Sequence, residues 1–109
     1  MEIGITVEVH CQQPLWAINH REDRYRDSKY RLYIDNDLIT ERSWLWNNST
    51  FLQENLWANL HPAAEHTLTI EPVTYIPEQA KFSLAAFKIE GQLTKIVIST
   101  RTKITFKLV

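Results

Sequence analysis

The stretch from Tyr30 to Trp46, YRLYIDNDLITERSWLW, limits the possible folds more than any other. Tyr30, Leu32 and Ile34 alternate with Arg31, Tyr33 and Asp35, so apolar side chains recur at the two-residue period of a strand. Asp35-Asn36-Asp37 breaks the run with residues that suit a tight turn, and Leu38-Ile39-Thr40 resumes it. Alternation on both sides of a polar turn predicts a β-hairpin. Trp44 and Trp46, two residues apart, would share one face of any strand that continues it.

The same period runs through much of the chain. Ile3, Ile5, Val7 and Val9 alternate with polar residues and Gly4, which predicts a first strand with one wet face and hence an antiparallel sheet. Cys11 to Ser28 is irregular. Leu15, Trp16 and Ile18 could anchor it, and the mixed-charge run from His20 to Lys29 reads as an exposed loop. His66 to Val73 predicts a strand with Leu68 and Ile70 inward, and Pro72 and Pro77 bracket an edge or a connection. Ala80 to Glu90 predicts another, with Phe82, Leu84 and Ala86 on one side and Gly91 ending it. Leu93 to Thr100 and Thr102 to Val109 complete the set, the latter with Ile104, Phe106 and Leu108 inward.

Residues 51–60 fit two periods. Leu52, Leu56, Trp57 and Leu60 have helical spacing, and Thr50 to Gln53 fits a capping box. With period two, Leu52, Glu54, Leu56, Ala58 and Leu60 face one way and Phe51, Gln53, Asn55, Trp57 and Asn59 the other. Strand is favoured, because Asn47-Asn48-Ser49 makes a turn after a Trp-rich strand and Asn55 and Asn59 weaken a helix. About eight strands with regular turn signals and no firm helix predict an all-β fold. The expectation is a two-sheet antiparallel β-sandwich, jelly-roll-like, in a single domain over residues 1–109.

Charge and cysteine content bound the function. The net charge of −1 offers no global field for nucleic acid, and no apolar run approaches the ~20 residues that span a bilayer. Lone Cys11 permits no intrachain disulfide, and the alternating N-terminus is not a signal peptide, so folding in a cytoplasm is expected. The charge is nonetheless polarised. Residues 32–78 set Arg42 alone against seven carboxylates (net −6), while residues 79–109 set six bases against Glu90 (net +5). Such halves could pair neighbouring copies, or lie side by side in one fold.

Chemistry has little to build on. No histidine pair has zinc-motif spacing, and His61 and His66, flanking a proline-containing loop, read as surface residues. Asp35-Asn36-Asp37 clusters oxygens as calcium would want but lacks the spacing of an EF-hand, and reads first as a turn. Cys11 beside His10 would point to the opposite face of a strand, so the two cannot work together. With Gly4 and Gly91 as the only glycines, no phosphate-cradling loop forms. No metal, no cofactor and no catalytic residue is expected. The aromatics stand out instead: four tryptophans and four tyrosines can fill a core, anchor a protein interface or stack on sugar rings. The binding or interface candidates are Tyr33, Arg42, Trp44, Trp46 and Trp57.

YRLYIDNDLITERSW, HTLTIEPV and AKFSLAAFKIEG, over residues 29–91, resemble the strands and turns of small β-sandwich proteins encoded by tailed bacteriophages. The run aromatic-x-x-Tyr-Ile-Asp-Asn-x-Leu-Ile, followed by His-Thr-Leu-Thr-Ile, is also similar to strands of jelly-roll carbohydrate-binding modules. Neither pattern carries diagnostic functional residues, so no site is transferred from it. The phage resemblance implies a non-enzymatic virion component, such as a capsid decoration (cement) protein. Its partners would be other virion proteins or copies of itself in a homo-oligomer, and it would reach the virion after folding in the host cytoplasm. The alternative is a carbohydrate-binding module with an exposed row among Trp44, Trp46, Trp57 and Tyr33.

Overall fold

The computed structural model describes residues 2–12, 29–44, 50–73, 81–91 and 94–108. Eight strands follow in order: β1 (Glu2–Gln12), β2 (Lys29–Ile34), β3 (Asp37–Ser43), β4 (Phe51–Asn59), β5 (Glu65–Val73), β6 (Lys81–Ile89), β7 (Thr94–Ser99) and β8 (Lys103–Leu108). They form a three-stranded sheet, β4-β1-β6, and a five-stranded sheet, β3-β2-β5-β8-β7, with every pairing antiparallel. Only β2–β3 and β7–β8 are neighbours in both sequence and sheet; every other link in the chain order crosses between the sheets.

Period-two alternation accounts for the core between them. Ile3, Ile5, Val7, Val9 and Cys11 of β1 point inward, as do Leu32 and Ile34 of β2, Leu68 and Ile70 of β5, and Ile104, Phe106 and Leu108 of β8. Burying each such side chain contributes roughly 1.5–3 kcal/mol, so inverting the face of any one strand would forfeit several of these at once. β4 settles the ambiguity at residues 51–60. It pairs with β1 without interruption from His10↔Phe51 to Glu2↔Asn59, and this long ladder prevails over the local capping signal. Glu54, Leu56, Ala58 and Leu60 face inward.

Among the described residues, three bulges shape the sheets. In β6, Ala86 adopts a left-handed φ of 50°, and the register with β1 shifts between Thr6 and Glu8. The expected inward Ala86 is therefore exposed, and Phe87 turns inward to meet Phe106 at 4.9 Å. The other two bulges lie at β2–β3, between Leu32 and Tyr33, and at β7–β8, between Ile96 and Ile98.

The hairpin turn falls at Asp35-Asn36 as expected, with Asp35 at φ 57°. Its carboxylate is occupied by protein donors: Thr67 N–H at 3.1 Å and His66 Nδ1 at 2.9 Å. His66 is thus not the surface residue its loop position predicts. It is buried against Phe106, and its Nε2 lies 3.0 Å from the His61 N–H and 3.1 Å from the His61 carbonyl. Turn, loop and β5 are pinned together through one ring. The expectations for residues 13–28, for Trp46 with the Asn47-Asn48-Ser49 turn, and for Pro77 lie outside the described residues. Among the described residues, no helix is long and apolar enough to cross a membrane.

Candidate functional site

The five residues singled out by sequence do not come together. Tyr33 lies on the outer face of the five-stranded sheet, where its hydroxyl donates to Glu71 Oε1 at 3.3 Å. Trp46 lies outside the described residues. Trp44 is 1% exposed: β3's alternation carries it inward after Arg42, and it meets Phe82 edge-on at 6.1 Å and 77°. It belongs to the core and cannot join an exposed row.

Arg42 also serves the interior. It sits opposite Tyr30 in the β2–β3 ladder and forks onto Glu54 of β4, a carboxylate only 3% exposed. Arg42 Nε donates to Glu54 Oε1 and Arg42 Nη2 to Oε2 at 3.3 Å. The Tyr30 hydroxyl donates to the same Oε1 at 2.7 Å. Phe82 closes the junction, with its ring 5.3 Å from that of Tyr30. The cluster therefore joins β4 of one sheet to β2 and β3 of the other. Burial, followed by the hydrogen bond to Glu54, holds the Tyr30 phenol well above its ordinary range. The hydrogen bonds to Glu54 raise the Arg42 guanidinium, so the fork stays charged. A carboxylate held from two sides by donors is satisfied structure.

Cys11 is buried, and desolvation pushes its thiol up to about 12, so the nucleophilic thiolate is suppressed. His10 faces the other way, as expected from strand geometry, and bonds Glu8 through Nε2 at 3.1 Å. Among the described residues, no three His, Cys, Asp or Glu side chains gather as a metal site.

What remains open is the outer face of the three-stranded sheet. Trp57 is 60% exposed there, in register with Gly4 of β1. The indole edge lies over Gly4: a methyl placed on that glycine would come 3.4 Å from Trp57 Cη2 and 2.7 Å from Glu90 Oε2. Glycine thus leaves room for the Glu90 carboxylate against the strand, while the indole edge passes at ordinary contact distance beside it. Further along β4's outer face stand Asn55, Gln53 and Phe51, the last exposed and stacked on His10 at 5.2 Å and 24°. Between the two aromatic ends, the β6 bulge opens a pocket of about 270 Å³ lined by Thr6, Glu8, Gln53, Ala86 and Lys88 among others. Trp57 and Phe51 lie six residues apart on one strand, roughly 20 Å at strand rise.

Sequence reasoning named Trp57 but missed Phe51, His10, Gly4 and Glu90. The outer-face set of β4 carried the signal for Phe51, since a strand reading places it on Trp57's side. Gly4, His10 and Glu90 join only through sheet pairing. No protein-family model matches the chain, and no curated protein or solved structure is significantly similar to it.

Proposed function

We propose that the protein is a non-enzymatic binding domain that grips a glycan on the outer face of its three-stranded sheet. One observation carries this reading: Trp57 lies open on a polar face, with its indole edge over Gly4 and the Glu90 carboxylate beside it. An interface core for another protein calls for contiguous apolar area. This face instead offers two aromatic surfaces separated by amides, hydroxyls and charges. A sugar presents the matching chemistry, an apolar ring face for the indole and hydroxyls for the groups between. The span between Trp57 and Phe51, roughly 20 Å, suits a short oligosaccharide better than a single ring.

Glycan-array screening followed by titration calorimetry on the strongest hit is the test. Trp57→Ala should abolish binding, and Tyr33→Phe, on the opposite outer face, should leave it unchanged. A protein that retains no glycan, or equal binding by both variants, refutes the reading.

A second reading, a structural part of an assembled particle such as a bacteriophage decoration protein, is favoured by a different feature. β7 ends the five-stranded sheet and exposes Ile96, Val97 and Ile98, in the basic segment of a chain whose middle is acidic. Sedimentation with and without assembled capsids tests it, and indifference to particles counts against it.

A further inference from the structure

The edge of β7 differs from the opposite edge of the same sheet. At the β3 side, the outer-face row Glu41–Arg31–Glu71 alternates in charge: Arg31 Nε donates to Glu41 at 3.0 Å, and its Nη1 lies 3.8 Å from Glu71. At the β7 side the corresponding row is Glu65–Lys107–Lys95, acid, base, base. Lys95 and Lys107 stand directly opposite each other, an arrangement that is unfavourable across a ladder. Past the bulge, Ile98 is opposite Thr105 on the same outer face and is 58% exposed, while Ile96 is opposite Phe106 on the inner face. Among the described residues, nothing pairs with the outward backbone edge of β7.

We propose that this edge accepts an extended segment of a partner protein as a sixth strand, with a carboxylate beside Lys95 and apolar side chains beside Ile96 and Ile98. The carboxylate extends the row to acid, base, base, acid and compensates the like pair. The apolar residues cover the isoleucines on both faces, and main-chain hydrogen bonds along the edge supply affinity. Run antiparallel to β7, such a segment reads apolar-apolar-acidic. Lys95 also argues against a second copy as the occupant. Pairing β7 with β7 brings Lys95 of both copies to one seam with no carboxylate in either strand to compensate them, whereas an acidic partner supplies one. The site lies on the other sheet from Trp57, so it is independent of glycan binding.

The test uses the full chain at low concentration with a capped peptide, Thr-Thr-Val-Val-Glu-Thr-Glu, and its counterpart with Lys for Glu. Hydrogen exchange followed by NMR should show β7's outward amides unprotected in the free protein, and protected by the acidic peptide but not by the basic one. Lys95→Glu, which replaces the like-charge pair with an opposite one and so should fold, should weaken the acidic peptide at least tenfold and admit the basic one. Protection of β7 in the free protein would mean that its own chain covers the edge. Protection that grows with protein concentration would mean that a copy does. Either result overturns the proposal, as does acidic-peptide binding that Lys95→Glu leaves intact.

Discussion

Glu54 and Trp57 stand three residues apart on β4 and face opposite ways, and their environments invert what hydrophobicity dictates. The carboxylate is buried and the indole is exposed. Glu54 is tolerable inside because Tyr30 and Arg42 meet it from the facing sheet, so its burial is compensated in place. Trp57 has no comparable compensation: it lies on a wet face among amides, carboxylates and a glycine. An inward polar group that is fully satisfied explains itself through the fold, whereas the outward indole is the group the proposed glycan would use. The difference separates a closed polar cluster from an open aromatic on a single strand.

Substitution at the two positions sharpens this contrast. Glu54→Ala removes the shared acceptor, leaves the buried Tyr30 hydroxyl unpaired and opens a cavity. A loss of about 3 kcal/mol in denaturant unfolding is expected. Trp57→Ala should shift unfolding by no more than about 0.5 kcal/mol, as other exposed positions do, while abolishing glycan binding. If both variants destabilise alike, Trp57 is structural and the contrast collapses.

Alkaline pH probes the closed side. Cys11 is raised from its ordinary 9.0 to about 12 by burial, and Tyr30 is raised by burial and Glu54. Both groups hold their protons in the folded chain after the unfolded chain has released them. Stability is therefore intact below pH 9 and falls as pH rises from 9.0 towards 12. The decline should be about 1 kcal/mol per pH unit in urea melts across that window, and shallower in Cys11→Ala.

Gly4→Ala addresses the open side. The nearest obstacle to the added methyl is the far end of the Glu90 side chain, which can swing away. Stability should change by less than about 1 kcal/mol, while displacement of the Glu90 carboxylate from beside the indole weakens glycan binding several-fold. The smallest effect is expected at Ala86, whose φ of 50° strains any residue with a Cβ. Ala86→Gly should stabilise by about 0.5 kcal/mol, the relief of strain being partly offset by the freer unfolded chain.

Much of the architecture was legible because strand alternation is a local signal. β1, the β2–β3 hairpin, β5 and β8 follow from which side chains are apolar and from the polar turn at Asp35-Asn36. Even the facing of β4 follows from period two. The phase of β6 beyond Leu84 was not legible, because the Ala86 bulge is created by pairing with β1. The burial of His66 was not legible for a related reason. It depends on Asp35, thirty-one residues away, and on Phe106 across the ladder.

The candidate site divides in the same way. Counting aromatics and their phase identified Trp57 as one that could face outward, but gave Trp44 equal standing. The sequence alone determined the strands, the polarity of their faces and the asymmetry of charge, since each depends on the order of neighbouring residues. Only tertiary structure decided that Trp44 lies against Phe82 while Trp57 faces solvent over Gly4, and that Arg42 is committed to Glu54. The physical reason is that a strand has two faces of known pattern, but which face meets the other sheet is settled by partners brought together from distant parts of the chain.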